Sequence, residues 1–125
     1  MPTISKQTME MVMTDGEKLF TRIADAGEMA FLRVTLPANT DFTPALEAAG
    51  GPQRCGIPHW MYVLSGALRI RYNDGREEVG HAGEFIHAIP GHTALCDVDT
   101  EFIEVSPRAA IRDLLAKMTG AAASA

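Results

Sequence analysis

The spacing of the turn-forming residues constrains this chain more than any other feature. Asp15-Gly16, Ala26-Gly27, Pro37, Gly50-Gly51-Pro52, Gly66, Asp74-Gly75, Gly83 and Pro90-Gly91 cut it into short lengths rich in β-branched, aromatic and aliphatic side chains. Glycine and proline interrupt helices and supply the backbone angles of tight turns, so this punctuation predicts an all-β sandwich or barrel. Strands are expected near 17–23, 28–36, 60–65, 67–73, 76–80, 84–89, 93–97 and 101–105. The clearest hairpin is LRIRYNDGREEV, in which Leu68, Ile70 and Tyr72 alternate with Arg69 and Arg71 ahead of the Asn73-Asp74-Gly75 turn. Leu68, Ile70 and Tyr72 should therefore share one face.

Two stretches depart from the strand pattern. Residues 38–52, ANTDFTPALEAAGGP, lack alternation and read as a long loop with at most one helical turn at 44–48, either a lid over a site or a subunit contact. Near the end, Ser106 and Pro107 have the chemistry of a helix cap and a first helical residue. Ile111, Leu114, Leu115 and Met118 follow at i, i+3, i+4 and i+7, an apolar stripe that must be buried on the barrel or on a partner. The tail from Gly120 to Ala125 is expected to fray.

At 125 residues the chain is the size of one domain with one core. We read residues 1–125 as a single domain, with a barrel core over about 17–106 and a C-terminal helix over about 107–119. Its 46% hydrophobic and 22% charged residues suit a folded globular domain rather than a disordered chain. A net charge of −5 without any basic run argues against nucleic acid as a partner. No segment reaches the roughly 20 apolar residues of a membrane span, and the N-terminal residues lack the pattern of a leader, so a cytoplasmic protein is expected. In that reducing compartment Cys55 and Cys96 would stay thiols, as ligands or core residues. There is no nucleophile-elbow, P-loop or dinucleotide fingerprint, which leaves serine-hydrolase and nucleotide-dependent chemistry unsupported.

The histidines and both cysteines fall between residues 55 and 96, the one concentration of soft or borderline metal donors in the chain. Strand parity places His59, Met61 and Val63 on one face and Trp60, Tyr62 and Leu64 on the other. Ile89-Pro90-Gly91 interrupts the parity between His87 and His92, so His87 lines the pocket or lies outside. His81, in a Gly-His-Ala-Gly turn, is expected in solvent, and Cys96 in the core. Neither Glu77 with Glu78 nor Glu101 with Glu104 looks like a catalytic dyad, and Glu77 and Glu78, on opposite faces of a hairpin strand, are expected to be exposed and solubilising.

The run HWMYVLSGALRIRYNDG followed by GEFIHAIPGH resembles the two sequence motifs of the cupin superfamily, and the resemblance extends over about residues 30–107. Anchored on Gly66, His59 takes the place of the glutamate of the first motif, and Cys55 and Gln53 take those of its two histidines. In the second motif Gly83 and Gly91 match the glycines, Ala94 stands at the histidine, and His92 directly follows the second glycine.

The resemblance implies a double-stranded β-helix, or jelly-roll, barrel, with Cys55, His59 and His92 as a three-residue metal set and Gln53, Met61 and His87 as substrate contacts. The expected metal is a divalent ion, zinc before iron or nickel, with a metal-free site as the alternative. The expected function is a small metal-dependent enzyme, of oxygenase, isomerase or lyase type, on a small polar molecule. The other reading is a non-catalytic module that binds or senses a small ligand. A homodimer is expected, with Trp60, Tyr62 and the 111–118 stripe as candidate contacts.

Overall fold

Strand pairing joins the short segments into two antiparallel sheets. The computed structural model describes residues 3–16 and 18–124, with side chains to Thr119. In chain order the elements are β1 (Glu10–Asp15), β2 (Leu19–Ala26), β3 (Met29–Leu36), β4 (Thr40–Asp41), α1 (Thr43–Gly50), β5 (His59–Ser65), β6 (Ala67–Tyr72), β7 (Glu77–His81), β8 (Phe85–Ala88), β9 (His92–Cys96), β10 (Thr100–Pro107) and α2 (Arg108–Ser124). One sheet has six strands in the order β1-β2-β3-β10-β5-β8 and the other has four in the order β4-β9-β6-β7. The fold is thus mostly β, as the turn spacing implies, with one helix inside the chain and one at its C-terminal end.

The core lies between the sheets and follows the period-2 rule. Leu68, Ile70 and Tyr72 all point inward, at 0%, 0% and 4% exposure, while Arg69 and Arg71 on the outer face bind Glu77. On β5 the inward set is His59, Met61 and Val63, as parity required. Leu32, Val34 and Leu36 of β3 and Phe102 of β10 complete the opposite wall.

Three local expectations are corrected. β1 and β4 lie outside the expected strands because neither has a strand signature of its own: β1 is an edge strand with no fully buried residue, and β4 is two residues long. Both exist through long-range pairing, β1 with β2 and β4 with β9. The 38–52 stretch is no loop with a single turn. Asp41 Oδ1 accepts the Thr43 amide at 2.9 Å, Pro44 stands in the first turn, and Leu46 is buried with Met118 of α2, so tertiary contact extends the helix to Gly50.

Ser106 and Pro107 do not cap α2. They continue β10 opposite Ala30 and Met29, because the Ser106 hydroxyl is engaged inside the barrel, with Glu104 as its acceptor. The apolar stripe of α2 packs on the barrel of its own chain, with Ile111, Leu115 and Met118 at 3%, 8% and 6% exposure. The strand expected from residue 17 begins at Leu19, and Glu17 lies outside the described residues, as do Met1, Pro2 and Ala125. The α2 backbone is helical through Ser124, and the side chains of the tail expected to fray lie outside the description. Among the described residues no helix is long and apolar enough to cross a membrane.

Gly66, at the β5–β6 turn, has φ +78°, and a Cβ there would collide with the Asp99 carbonyl and Thr100. Both the backbone angle and the packing exclude a side chain. Gly66→Ala should therefore lower the unfolding free energy by about 3 kcal/mol. Urea denaturation followed by circular dichroism measures this, and an unchanged midpoint would contradict the role assigned to the turn.

Candidate metal centre in the barrel

The centre is assembled by backbone pairing before any side chain is considered. Cys55 precedes β5 and forms an isolated antiparallel bridge with His92, the first residue of β9. The Cys55 amide donates to the His92 carbonyl at 2.9 Å, and the Gly91 amide donates to the Cys55 carbonyl at 2.8 Å. His59 opens β5 with its side chain inward, next to β10, whose inner face carries Phe102, Glu104 and Ser106. Residues far apart in sequence are thereby held at one end of the barrel.

The side chains form an ordered row. Cys55 Sγ lies 3.1 Å from His59 Nε2. On the far side of the ring, His59 Nδ1–H donates to Ser106 Oγ at 2.7 Å, and the Ser106 hydroxyl donates to Glu104 Oε2 at 2.7 Å. That carboxylate oxygen is itself 3.2 Å from His59 Nδ1. His92 meets His59 edge-on, with ring centroids 5.2 Å apart, and its Nδ1–H donates to the Ile89 carbonyl at 2.6 Å.

Both imidazoles thus use Nδ1 on an acceptor, which leaves each Nε2 with its lone pair free to face the thiol. Cys55, His59 and His92 each offer one ligand atom, and the three atoms lie within 4.8 Å of one another. Three buried donors converging on one point require a cation between them, either a proton or a metal ion. The group can hold a metal ion. Anchoring each histidine through its other nitrogen is the usual arrangement around metal-binding imidazoles.

Charge coupling shows in the acidities. Burial pushes the Cys55 thiol up, but hydrogen bonds to His59 and His92 and their positive character override it and bring the pKa down from 9.0 to about 6. Burial pushes His59 down, yet the Glu104 carboxylate beside it and its bond to Cys55 raise it from 6.5 to about 10. Glu104 would be raised by burial but is held below the usual carboxylate range by the His59 charge and by the bonds from His59 and Ser106. The metal-free cluster therefore holds a thiolate–imidazolium pair between about pH 6 and pH 10.

Cys55, His59, His92 and Glu104 occupy one side of a cavity of about 80 Å³. The remaining wall is almost entirely apolar, with Leu32, Val34, Met61 and Phe102 from the strands, Phe42 and Leu46 from α1 and its approach, and Ile111, Leu115 and Met118 from α2. The two helices thus close the barrel end at which the cluster lies.

Of the six residues expected at the site, Cys55, His59, His92 and Met61 line this cavity and the other two do not. His87 is on the outer face of β8, exposed and stacked on Trp60 at 5.2 Å between ring centroids, because inward Ile86 and Ala88 fix the parity of that strand. Gln53 is exposed in a 3₁₀ turn, Gly51–Gln53, and takes part through its carbonyl, which accepts the Asn73 side chain at 3.1 Å. His81 is exposed, beside Glu84. Cys96 is buried against the Pro37 carbonyl.

Glu104 and Ser106 are additions to the set. The expectation of exposure holds for Glu77 and Glu78, whereas Glu104, not expected to take part in a site, is buried at 8% exposure. The alternation in TEFIEVSP contains the signal, because Glu104 and Ser106 share parity with Phe102 and Thr100.

Comparison with solved structures identifies the fold. The chain has the cupin fold. An RmlC-like cupin from Shewanella frigidimarina matches it with a TM-score of 0.58 at 15% identity, over 83% of this chain and 87% of that one. Protein NMB1881 of Neisseria meningitidis gives 0.58 at 14%, over 85% and 99%. The EutQ protein of Clostridium difficile gives 0.52 at 21%, over 71% and 67%. At these identities the likeness is one of fold. No family model matches the sequence, and no curated protein does.

In metal-free protein, thiolate absorbance near 240 nm should titrate with a midpoint of about 6. In His59→Ala the midpoint should move up, since the group that overrides burial is gone. The sign for stability follows. The Cys55 pKa is depressed on folding, so its contribution is lost as pH falls through about 6, and the His59 pKa is raised, so its contribution is lost as pH rises through about 10. Equal midpoints in the two proteins would show that His59 does not stabilise the thiolate.

Proposed function

We propose that this cupin barrel is a small metal-dependent enzyme in which Cys55, His59 and His92 hold one divalent ion, zinc by preference. The observation that carries the reading is the convergence of Cys55 Sγ and the two Nε2 atoms, each imidazole being fixed by an acceptor at Nδ1. Charge supports it, since a divalent ion with the Cys55 thiolate and the buried Glu104 carboxylate sums to zero. Thiolate and imidazole suit zinc, and three protein ligands with one side open to a cavity is the arrangement of catalytic rather than structural sites.

When bound, the ion would supply a Lewis acid for a substrate oxygen. His59 is oriented by Ser106 and Glu104, which fix the ring and its tautomer. His92 is oriented by the Ile89 carbonyl, and the apolar wall excludes water. That wall favours a ligand with a mostly apolar body rather than the small polar molecule expected from sequence. Whether the reaction is of oxygenase, isomerase or lyase type follows from the ligand. A second reading rests on the 3.1 Å Sγ–Nε2 contact, a direct hydrogen-bond distance. On that reading the thiolate–imidazolium pair is the resting state, and the barrel is a metal-free module that binds or senses a small ligand.

Mass spectrometry of metals in untagged protein separates the two readings. The metal reading expects about one divalent ion per chain, lost in Cys55→Ser and His59→Ala, and bound 10- to 100-fold more weakly in Glu104→Gln. Protein without metal, whose melting temperature is unmoved by added zinc, cobalt or nickel, would establish the metal-free reading.

For the expected homodimer we propose the outer face of the six-stranded sheet as the contact. The α2 stripe is occupied by its own barrel, whereas Phe85 is 82% exposed, Trp60 43%, Phe31 39% and Ile103 36%. These residues are neighbours, since β8 pairs with β5, β5 with β10 and β10 with β3. An exposed apolar patch of this kind can pair with its own copy about a two-fold axis. Light scattering should give twice the 13.5 kDa chain mass, and Phe85→Glu should give the monomer at unchanged stability. A monomeric wild-type protein would refute the contact. Buried, unpaired Cys55 and Cys96 suit a reducing compartment, which is why we place the protein in the cytoplasm.

A further inference from the structure

Cys55 and Cys96 are equally buried, at 2% exposure each, but their sulfurs meet different chemistry. Cys96 Sγ donates to the Pro37 carbonyl at 3.3 Å, a contact that keeps its proton in place. Cys55 Sγ faces a base, His59 Nε2, at 3.1 Å, and the Ile57 carbonyl, the other acceptor near it, is farther off at 3.8 Å. The far side of the His59 ring is held by Ser106 Oγ at 2.7 Å and Glu104 Oε2 at 3.2 Å. A nucleophile, a base within hydrogen-bond reach and a third group that orients the base are the parts of an activated thiol. Cys55 and His59 line the cavity, and Cys96 does not. A second observation points to a guest. His92 lines the same cavity at 3% exposure, and with its Nδ1 engaged by the Ile89 carbonyl its Nε2 is an acceptor. One thiol carries one proton and satisfies one of the two imidazoles, so the other buried Nε2 lacks a donor.

We propose that Cys55 is a modification site for hydrogen peroxide, which enters the cavity and oxidises the sulfur to a sulfenic acid. The cavity is about 80 Å³, against roughly 10–15 Å³ for one water position, which suits a guest of about two or three heavy atoms. Met13, Phe42 and Leu114 in its wall are only half-buried, so solvent lies one side chain away. The thiol proton passes to His59 Nε2, and the sulfur attacks one peroxide oxygen as the S–O bond forms and the O–O bond breaks. The departing hydroxide takes the proton from His59 and leaves as water, the sulfur being oxidised by two electrons and the peroxide reduced by two. The O–H of the attacked oxygen donates to His92 Nε2, the donor which that nitrogen lacks. Within the chain the reaction stops there. Cys55 is bridged to His92, and Cys96 lies four residues farther along β9, roughly 13 Å away and beyond the reach of a disulfide. The step starts from the metal-free cluster, which is the resting state on the second reading above and the chelated state on the first.

The test treats untagged full-length protein, stripped of metal by chelation, with hydrogen peroxide. The thiol left at each cysteine is read by alkylation in denaturant and peptide mass spectrometry. Cys55 should disappear about 10-fold faster than Cys96 or more, with its sulfenic acid trapped by dimedone on unfolding. His59→Ala should slow the loss of Cys55 by about 100-fold and leave Cys96 unchanged, whereas a variant that merely loosened the fold would speed both. His59→Gln, which keeps a hydrogen-bonding side chain without the base, should do the same and serves if the alanine variant does not fold. tert-Butyl hydroperoxide, too bulky for the cavity, should spare Cys55 while it oxidises N-acetylcysteine in the same solution. The proposal is overturned if Cys55 reacts no faster than Cys96, if its rate survives loss of the His59 base, or if the bulky peroxide oxidises it as readily as the free thiol. Metal content measured before chelation decides the metal reading separately, so failure of the one is not failure of the other.

Discussion

The centre of this molecule depends on how His59 is held. Its ring bridges a thiol and a carboxylate that are both out of water, with Cys55 Sγ 3.1 Å from one nitrogen and Ser106 and Glu104 at 2.7 and 3.2 Å from the other. A buried carboxylate is tolerable only with a charged or donating partner, and a buried thiolate needs a cation. His59 answers both requirements. Without it, Glu104 would keep the Ser106 hydroxyl but have no cation to balance its charge, and the Cys55 thiolate would lose its nearest imidazole.

That arrangement is a product of sheet geometry. β5 and β10 are antiparallel neighbours, so His59 and the Glu104–Ser106 pair meet because both strands turn alternate residues inward. Cys55 and His92 are tied by backbone hydrogen bonds at a bridge, which fixes their separation independently of side-chain rotamers. Placing chemistry on paired strands rather than on loops gives the precision that a ligand set needs. The helices have a different task. Leu46 of α1 and Met118 of α2 are buried together over the barrel end, so the segment that looked like a loop and the C-terminal stripe become the roof of the cavity. Residues 38–52 therefore help to cover the cavity of their own chain.

The outer surface of the six-stranded sheet carries a second message. Trp60 stacks on His87 at an interplanar angle of 10°, and Tyr62 packs on Phe85 with 4.7 Å between centroids. The aromatic residues of β5 therefore serve the outside of the barrel while its histidine and methionine serve the inside, a division that follows from period-2 alternation alone.

Much of this was legible in the linear sequence. Turn residues at short intervals determined a mostly β fold, alternation in LRIRY and in HWMYV determined which residues face inward, and donors were concentrated between 55 and 96, where the resemblance to the cupin motifs implied Cys55, His59 and His92. Those are local properties, set by backbone angles and side-chain periodicity over a few residues. The sequence could not decide the facing of His87, because Ile89-Pro90-Gly91 breaks the periodicity, nor the burial of Glu104, because a carboxylate is ordinarily a surface group and its partners are distant in the chain. It could not show that Ser106 serves His59 rather than a helix. Each of these depends on which strand lies beside which, and strand order is decided by contacts between segments far apart in sequence, where local pattern carries no information.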